Sequence, residues 1–109
     1  AIELEGSGEL KVLSPQMGGF YRSVSPEEEA LVVEGSIVDV NQPICLLESM
    51  KVFSELKLCS FRSAAGEELY PETNRYRITR ILAEDKQTVS AGDLLFVVQP
   101  VEAAEAGPN

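Results

Sequence analysis

The sequence lacks histidine altogether and has only two cysteines, Cys45 and Cys59. Without histidine, Ser-His-Asp triads, histidine general bases and histidine metal ligands are excluded. Two cysteines are too few for the disulfide framework typical of a small secreted domain, and too few to hold a structural zinc ion without histidine. We therefore expect two free, partly buried thiols in a reducing compartment, and no metal site.

Basic charge and long apolar runs are also scarce. Nine Lys and Arg residues stand against 18 Asp and Glu residues, which gives a net charge of −9. Nucleic acids and anionic membranes bind cationic surfaces, so neither is expected as the main partner. No apolar run approaches the roughly 20 residues that a membrane-spanning helix requires. At 109 residues, the chain is long enough for one compact domain.

The sequence does contain a series of short apolar runs rich in Val, Ile, Leu and Phe, such as LKVL, SIVDV, ICLL and LLFVV. Gly, Pro, Ser, Asn and Asp interrupt these runs at short intervals, a pattern typical of all-β sandwiches and barrels. Only residues 48–58 (ESMKVFSELKL) can supply a helical pattern, and there periodicity alone leaves helix and strand open. We expect flexible segments at residues 1–10 and 101–109 on either side of a domain spanning 11–100.

An internal repeat supports the all-β class. Residues 35–48 (GSIVDVNQPICLLE) and 86–99 (KQTVSAGDLLFVVQ) align at a constant offset of 51 residues (86 − 35). Apolar positions match apolar positions, and the turn pair Asn41-Gln42 matches Gly92-Asp93. Two copies of one β-unit predict a pseudo-twofold sandwich in which each copy buries the apolar face of the other.

The repeat also places a hairpin tip at residues 49–52. If ICLLE is a strand, as LLFVVQ is, the residues that follow it must turn, with Met50 and Lys51 at the centre. Two-residue hairpin turns favour Asn-Gly or Gly-Gly because φ must be positive there, so Met-Lys is a poor choice on local grounds. A turn that breaks local preference is expected where function overrides it. On these residues alone, Lys51 is either an ordinary exposed turn lysine or a side chain displayed for chemistry.

Four stretches of the sequence carry a resemblance to a known family. They are ESMKV (48–52), SPQMGGFYRS (14–23), SPEEEALV (25–32) and ILAEDKQTVSAGDLLFVV (81–98). They are similar, in that order, to the Glu-Ala-Met-Lys-Met motif, the Ser-Pro-Met-x-Gly-Thr-Phe-Tyr-Arg stretch, the thumb loop and the closing hairpin of biotin carboxyl carrier domains from bacterial and plastid-type acetyl-CoA carboxylase. The resemblance implies a flattened antiparallel β-barrel, a barrel-sandwich hybrid of the biotinyl/lipoyl type.

The resemblance also implies a site. Lys51 is expected to carry biotin through an amide bond, and its long, unbranched and rotatable side chain suits a swinging arm. Recognition by biotin protein ligase is expected at the neighbouring residues Glu48, Ser49, Met50 and Val52. The thumb that would restrain the biotin ring comprises Ser25, Pro26, Glu27, Glu28, Glu29, Ala30, Leu31 and Val32.

The function implied is that of a carrier without catalytic residues of its own. It would shuttle carboxybiotin between the biotin carboxylase and carboxyltransferase sites of acetyl-CoA carboxylase, which makes malonyl-CoA for fatty acid synthesis. A tether of this kind raises the effective concentration of the group at its target. The expected compartment is the cytoplasm, or the plastid stroma in a plant or alga. Three alternatives stay open: the carrier domain of another biotin-dependent carboxylase, a lipoyl carrier domain, and an unmodified regulatory or docking subunit.

Two substitutions and one insertion depart from the family pattern. Ser49 and Val52 replace the usual Ala and Met. Residues 60–76 stand where the family has a short turn, and we expect a protruding loop or extended hairpin there, at the end of the sandwich opposite the lysine. The insertion is either a tolerated surface loop or a docking surface, the latter because four arginines gather around it: Arg62, Arg75, Arg77 and Arg80.

Overall fold

The structure, a computed structural model, describes residues 2–4, 9–60 and 75–101. These residues form nine strands and one 3₁₀ turn, Leu58–Ser60. The strands are β1 (Ile2–Leu4), β2 (Leu10–Leu13), β3 (Gly18–Tyr21), β4 (Ile37–Asp39), β5 (Pro43–Ser49), β6 (Val52–Lys57), β7 (Arg75–Ile81), β8 (Thr88–Val89) and β9 (Leu94–Pro100). Within these ranges no helix has the length and apolar character needed to cross a membrane.

The strands form two antiparallel sheets that share one core. Their strand orders are β1-β2-β9-β7-β4 and β6-β5-β3-β8. Alternate strand positions from both sheets point inward, as the pleat of a strand requires. The rings of Phe20 and Phe96 meet between the sheets at a centroid distance of 5.8 Å. The fully buried side chains around them include Val12, Val38, Ile44, Leu47, Ile78 and Leu95. The predicted all-β class is confirmed.

The internal repeat corresponds to a structural repeat. β4 and β5 begin at residues 37 and 43, and β8 and β9 begin at 88 and 94, which is the offset of 51 residues in both cases (88 − 37 and 94 − 43). The orders β6-β5-β3-β8 and β2-β9-β7-β4 then become equivalent, strand for strand. The predicted pseudo-twofold arrangement is confirmed, and β1 is an additional strand at the edge of β2.

Hydrogen bonds outside the ladders follow the same pseudo-twofold relation. Phe20 donates its N–H to the Gln87 carbonyl at 2.8 Å and accepts the Lys86 N–H at 2.6 Å. In the other half, Ile78 donates to the Ser36 carbonyl at 2.8 Å and accepts the Gly35 N–H at 2.7 Å. Each half therefore uses one strand residue to hold the loop that enters the β4 or β8 strand.

The ambiguous segment 48–58 is a hairpin strand followed by the 3₁₀ turn. Six residue pairs join β5 and β6, from Ser49 opposite Val52 back to Pro43 opposite Lys57. β-Branched and aromatic residues such as Val52 and Phe53 favour strand conformation, and both are exposed in this edge strand. The predicted hairpin tip at residues 49–52 is confirmed.

The N-terminal segment, predicted to be flexible over residues 1–10, contains a short strand. Ile2–Leu4 forms β1 and pairs with β2, and the Glu9 carboxylate accepts a hydrogen bond from the Thr79 hydroxyl at 2.9 Å. The sequence pattern does not reveal this strand, because a three-residue strand is too short to show periodicity. At the other end, Val101 is buried and donates its N–H to the Arg75 carbonyl at 3.1 Å. The rest of the predicted tail of 101–109, residues 102–109, lies outside the described residues.

Most of the predicted insertion, residues 61–74 with Arg62, also lies outside the described residues. The strand after it begins at Arg75, so Arg75 and Tyr76 belong to β7 and not to the insertion. Arg77 lies opposite Gln99 and Ile37 in the neighbouring strands. β6 runs away from the hairpin tip toward this segment, and β7 leaves the segment beside Val101. The flanks of the insertion therefore lie at the end of the sandwich opposite the tip.

The two cysteines are both free, as predicted. Cys45 is fully buried in the core, where burial raises the pKa of its thiol to about 12. Cys59 is exposed, and its backbone N–H donates to the Val40 carbonyl at 3.0 Å. Only one of the two thiols is therefore buried, whereas partial burial of both was the expectation.

Candidate functional site: the lysine hairpin and its cleft

The tip of the β5–β6 hairpin is a two-residue turn with Met50 and Lys51 at its centre. The flanking residues Ser49 and Val52 form the last pair of the ladder. Both central residues have positive φ, 53° at Met50 and 65° at Lys51. A two-residue hairpin turn requires positive φ, so both residues adopt the conformation of such a turn although their residue types do not favour it.

Glu48 holds this turn together. Its Oε1 accepts a hydrogen bond from the Lys51 backbone N–H at 2.7 Å. A hydrogen bond to a carboxylate is stronger than one between neutral groups, so it offsets part of the strain at the two central residues. Glu48 is half-buried, and the carboxylate lies toward Gly19 of β3, its partner in the sheet.

The Lys51 side chain is exposed at the apex, and its neighbours are exposed apolar residues. The exposed fraction is 93% for Met50 and 63% for Val52. An exposed apolar side chain needs no explanation when it stands alone, but a group of them around one amine marks a contact surface. The tip therefore presents an accessible primary amine between two apolar contacts.

The outer face of the second sheet continues this surface away from the tip. The rings of Tyr21 and Phe53 lie 5.4 Å apart at an interplanar angle of 60°, a tilted arrangement that aromatic pairs favour. Leu46 is buried on the same face, outside the main core. Phe53 is opposite Glu48 in the hairpin, so the aromatic pair begins one ladder position from the turn.

A cleft of about 400 Å³ opens beside this aromatic pair. One wall is the loop after β3, another is Phe53, and the turn before β8 closes the third side. The residues that line it are Tyr21, Arg22, Ser23, Val24, Ser25, Pro26, Glu28, Ala30, Phe53, Asp85 and Lys86. The lining combines aromatic and aliphatic surface with a few charged and hydroxyl groups, which is the usual make-up of a small-molecule site.

The loop is tied to the sheet at its base. The Arg22 N–H donates to Asp85 Oδ1 at 2.8 Å, and its carbonyl accepts the Leu31 N–H at 2.7 Å. Its guanidinium donates to the Val32 carbonyl at 3.3 Å. Arg22, at the start of the loop, thus bonds to Leu31 and Val32 at its end, and the residues between them project from this base.

The pseudo-twofold relation shows which residues make up this extra loop. In the other half the Ile81 N–H donates to Glu34 Oε2 at 2.9 Å, the counterpart of the Arg22–Asp85 bond. Ile81 is followed directly by Leu82, the counterpart of Leu31 at the offset of 51 residues (82 − 31). Residues 23–30 therefore have no equivalent in the second half, and they are the extra loop.

The residues of the predicted thumb, 25–32, occupy different places in the structure. Ser25, Pro26, Glu28 and Ala30 line the cleft, whereas Glu27 and Glu29 are exposed residues outside its lining. Leu31 is bonded to Arg22, and Val32 is buried in the main core. Those last two residues belong to the framework, because they continue the part of the fold that both halves share.

Several cleft residues are absent from the sequence prediction, among them Tyr21, Arg22 and Lys86. Tyr21 and Arg22 fall within the stretch SPQMGGFYRS that resembles the family, so their place in that stretch was the available signal. Lys86 has a positive φ of 68°, a conformation that no motif of the sequence reveals. In the part of the chain with described side chains, no group of three potential ligand residues could hold a metal ion.

Comparison with known proteins gives the family. Residues 10–58, which run from β2 to the 3₁₀ turn and include the lysine hairpin, match a family model described as biotin-requiring enzyme. This chain carries a domain of the biotin-requiring enzyme family. The biotin-requiring domain thus includes both the turn at Lys51 and the loop 23–30.

Curated relatives narrow the resemblance and confirm it. The chain is 36% identical over 87 residues to the chloroplastic biotin carboxyl carrier protein of acetyl-CoA carboxylase from Glycine max, which covers 80% of this chain and 28% of the relative. It is 34% identical over 89 residues to carrier protein 1 from Arabidopsis thaliana, with 82% and 27% covered. It is 45% identical over 53 residues to the carrier protein from Haemophilus influenzae, with 49% and 34% covered. The chain spans about a third or less of the length of these relatives.

A solved structure shares the fold of the biotin-requiring domain. It belongs to a single-chain, multi-domain long-chain acyl-CoA carboxylase, with a TM-score of 0.59 and 24% identity. The match covers 95% of this chain and 8% of that chain. The likeness therefore concerns the fold.

Proposed function

We propose that this chain is the biotin carrier of an acetyl-CoA carboxylase and that Lys51 is the attachment site. One observation supports this most directly: the Lys51 amine stands at the apex of a strained two-residue turn, between exposed apolar neighbours. An ordinary turn would use residues that favour positive φ, so the retention of Met-Lys points to a demand on the side chains. The curated relatives, all named as carriers of acetyl-CoA carboxylase, favour that carboxylase over others.

Biotin fits the tip as a covalent group. The Lys51 Nζ, once it has lost its proton, attacks the carboxyl carbon of an activated biotin, and the activating group leaves as the amide forms. An exposed amine on a long, rotatable stem suits that attack, because a ligase must enclose it. Ser49, Met50 and Val52 surround the amine and are the contacts a ligase would meet first.

The carrier acts by transport and provides no catalytic group. Biotin supplies a ring nitrogen that accepts and releases a carboxyl group at two separate active sites. The partners we propose are biotin protein ligase, a biotin carboxylase and a carboxyltransferase. The flanks of the insertion lie at the end of the sandwich opposite Lys51. They would therefore stay outside an active site that the hairpin tip enters. The chloroplastic and bacterial relatives favour the plastid stroma or the cytoplasm as the compartment.

The cleft beside the hairpin is the proposed resting place of the biotin ring. Phe53 and Tyr21 offer apolar surface to the ring system, and the loop 23–30 covers the opposite side. Polar groups along the cleft, on Ser25, Asp85 and Lys86, can bond to a urea group. The loop would thus act as a thumb that restrains the ring between visits to the active sites.

Mass measurement after coexpression with biotin ligase tests the carrier function. We expect the wild type to gain one biotinyl group and Lys51→Arg to gain none while keeping the fold. Lys57→Arg, a conservative change on the neighbouring strand β6, is the matched control and should be modified like the wild type. A lipoyl group after coexpression with a lipoyl ligase would identify a lipoyl carrier, and no modification by either ligase would identify a docking subunit.

A further inference from the structure

The backbone conformation of Lys51 needs support from another residue, because a lysine side chain does not itself stabilise positive φ. Two consecutive non-glycine residues, Met50 and Lys51, adopt positive φ. Neither is Asn or Asp, whose short polar side chains ease this conformation. A turn of this kind relaxes to other conformations unless the surrounding structure holds it.

The Glu48 carboxylate supplies that contact from within the same hairpin. It accepts the Lys51 N–H at 2.7 Å, three residues along the chain and across the turn. The bond fixes the peptide group that carries the lysine side chain. The bond uses Oε1 of the carboxylate, and the other oxygen, Oε2, lies toward Gly19 of the neighbouring strand β3.

Two adjacent glycines in β3 lie against Glu48, one beside its backbone and one beside its carboxylate. A Cβ atom at Gly18 would stand 2.8 Å from the Glu48 carbonyl oxygen, closer than Cβ atoms come to such atoms. A Cβ at Gly19 would stand 3.7 Å from Glu48 Oε2. The backbone of β5 therefore approaches β3 closely at Glu48, and the carboxylate lies over the bare backbone of Gly19.

We propose that Glu48 is a positioning residue for biotinylation. Its carboxylate, which lies over Gly19 and accepts the Lys51 N–H, holds the strained turn in the form that the ligase modifies. Glu48 therefore acts through the backbone of Lys51, and the ligase need not read its charge. The inference rests on the proposed function, since it assumes that Lys51 accepts biotin.

Biotinylation kinetics separate the two roles of Glu48. The purified chain is titrated against biotin ligase with biotin and ATP, and kcat and KM are measured. Glu48→Gln keeps an oxygen acceptor and should keep kcat/KM within about threefold of the wild type. Glu48→Ala removes the acceptor and should lower kcat/KM by about tenfold or more. Glu55→Ala, which removes the same charge from an exposed site on β6, is the matched control and should change little.

A second substitution tests the mechanism by rescue. Met50→Gly removes the steric penalty of positive φ at the first turn position. In the Glu48→Ala background it should restore a large part of kcat/KM, because the turn then forms without its cap. Met50→Gly in the wild-type background measures any contact that Met50 itself makes with the ligase. Comparison of the two single variants with the double variant then gives the coupling between Glu48 and Met50.

Backbone amide exchange gives a readout that does not involve the ligase. Glu48→Ala should speed exchange of the Lys51 amide, and Glu48→Gln should leave it slow. Equal loss of biotinylation in both variants, with the Lys51 amide still protected, would overturn the inference and show that the ligase reads the carboxylate. Failure of the wild type to accept biotin would overturn the proposed function and the inference with it. The exchange data would still show whether Glu48 holds the turn, so the two failures can be distinguished.

Discussion

The two cysteines show how burial determines the chemistry of a single side chain. Burial raises the pKa of the Cys45 thiol to about 12, and Cys59 is exposed. The thiolate is the reactive form, so Cys45 should resist iodoacetamide at mildly alkaline pH while Cys59 reacts. Mass spectrometry should find one adduct on the folded protein and two in denaturant. Rapid double labelling of the folded protein would contradict the buried position of Cys45.

The same pKa shift predicts how stability depends on pH. Above about pH 9 the unfolded thiol loses its proton, whereas the folded thiol keeps its proton up to about pH 12. The folded state then binds more protons, so the free energy of unfolding should fall as pH rises through this window. Urea unfolding on either side of pH 9 measures the slope, with Cys45→Ala as the control that lacks this contribution. Identical slopes for both proteins would refute the shift.

Gly18 is expected to be the more sensitive of the two β3 glycines. An added Cβ there meets a backbone oxygen at 2.8 Å, whereas at Gly19 the nearest atom is Cε2 of the Tyr21 ring at 3.3 Å. A ring can move and a backbone in a sheet cannot, so Gly18→Ala should cost about 1–3 kcal/mol of unfolding free energy. Gly19→Ala should cost less. Urea denaturation of both variants checks the order, and a reversed order would show that β3 and β5 separate easily.

Among the elements, the loop 23–30 can be removed without touching the core. It projects from a base held by Arg22, and its counterpart in the other half is a direct connection from Ile81 to Leu82. Surface loops tolerate shortening when their ends are close, and here Arg22 and Leu31 are joined by a backbone hydrogen bond of 2.7 Å.

Replacement of residues 23–30 by Gly-Gly should therefore change the unfolding free energy by about 1 kcal/mol or less. It should also free the biotin ring, because the cleft loses one wall. NMR relaxation of the ring in the biotinylated protein measures that mobility. A variant with Glu27, Glu28 and Glu29 all changed to Gln keeps the wall without its charge and is the control. Unchanged ring mobility after loop removal would refute the thumb role.

The whole molecule is held by one core that both halves build together. Phe20 from one sheet and Phe96 from the other meet at 5.8 Å, so neither repeat buries its apolar face alone. Phe96→Ala should lower the unfolding free energy by about 3–5 kcal/mol in a single transition. Phe53→Ala, at a ring that is 56% exposed, is the control and should cost far less. Two separate urea transitions would contradict a shared core.

The site was only partly predictable, for reasons that particular residues make plain. The turn position of Lys51 is predictable from the repeat. The offset of 51 residues from the end of β9 puts the end of the matching strand, β5, just before Lys51, so the chain must turn there. The role of Glu48 as a cap does not follow, since a glutamate next to a lysine reads equally well as a solvated acid. The bounds of the loop 23–30 depend on which residue of β7 corresponds to Arg22, and that requires the register of two distant strands.

Apolar periodicity and turn residues act over short stretches, so they predict the β-strand class, the offset of 51 residues between the two halves and the lysine at a hairpin tip. The folded structure was needed to locate the cleft, the pairing of β1 and the position of the Glu48 carboxylate over Gly19. Those features join residues that are far apart in the chain, and their contacts arise from strand register and sheet packing, which no local pattern encodes.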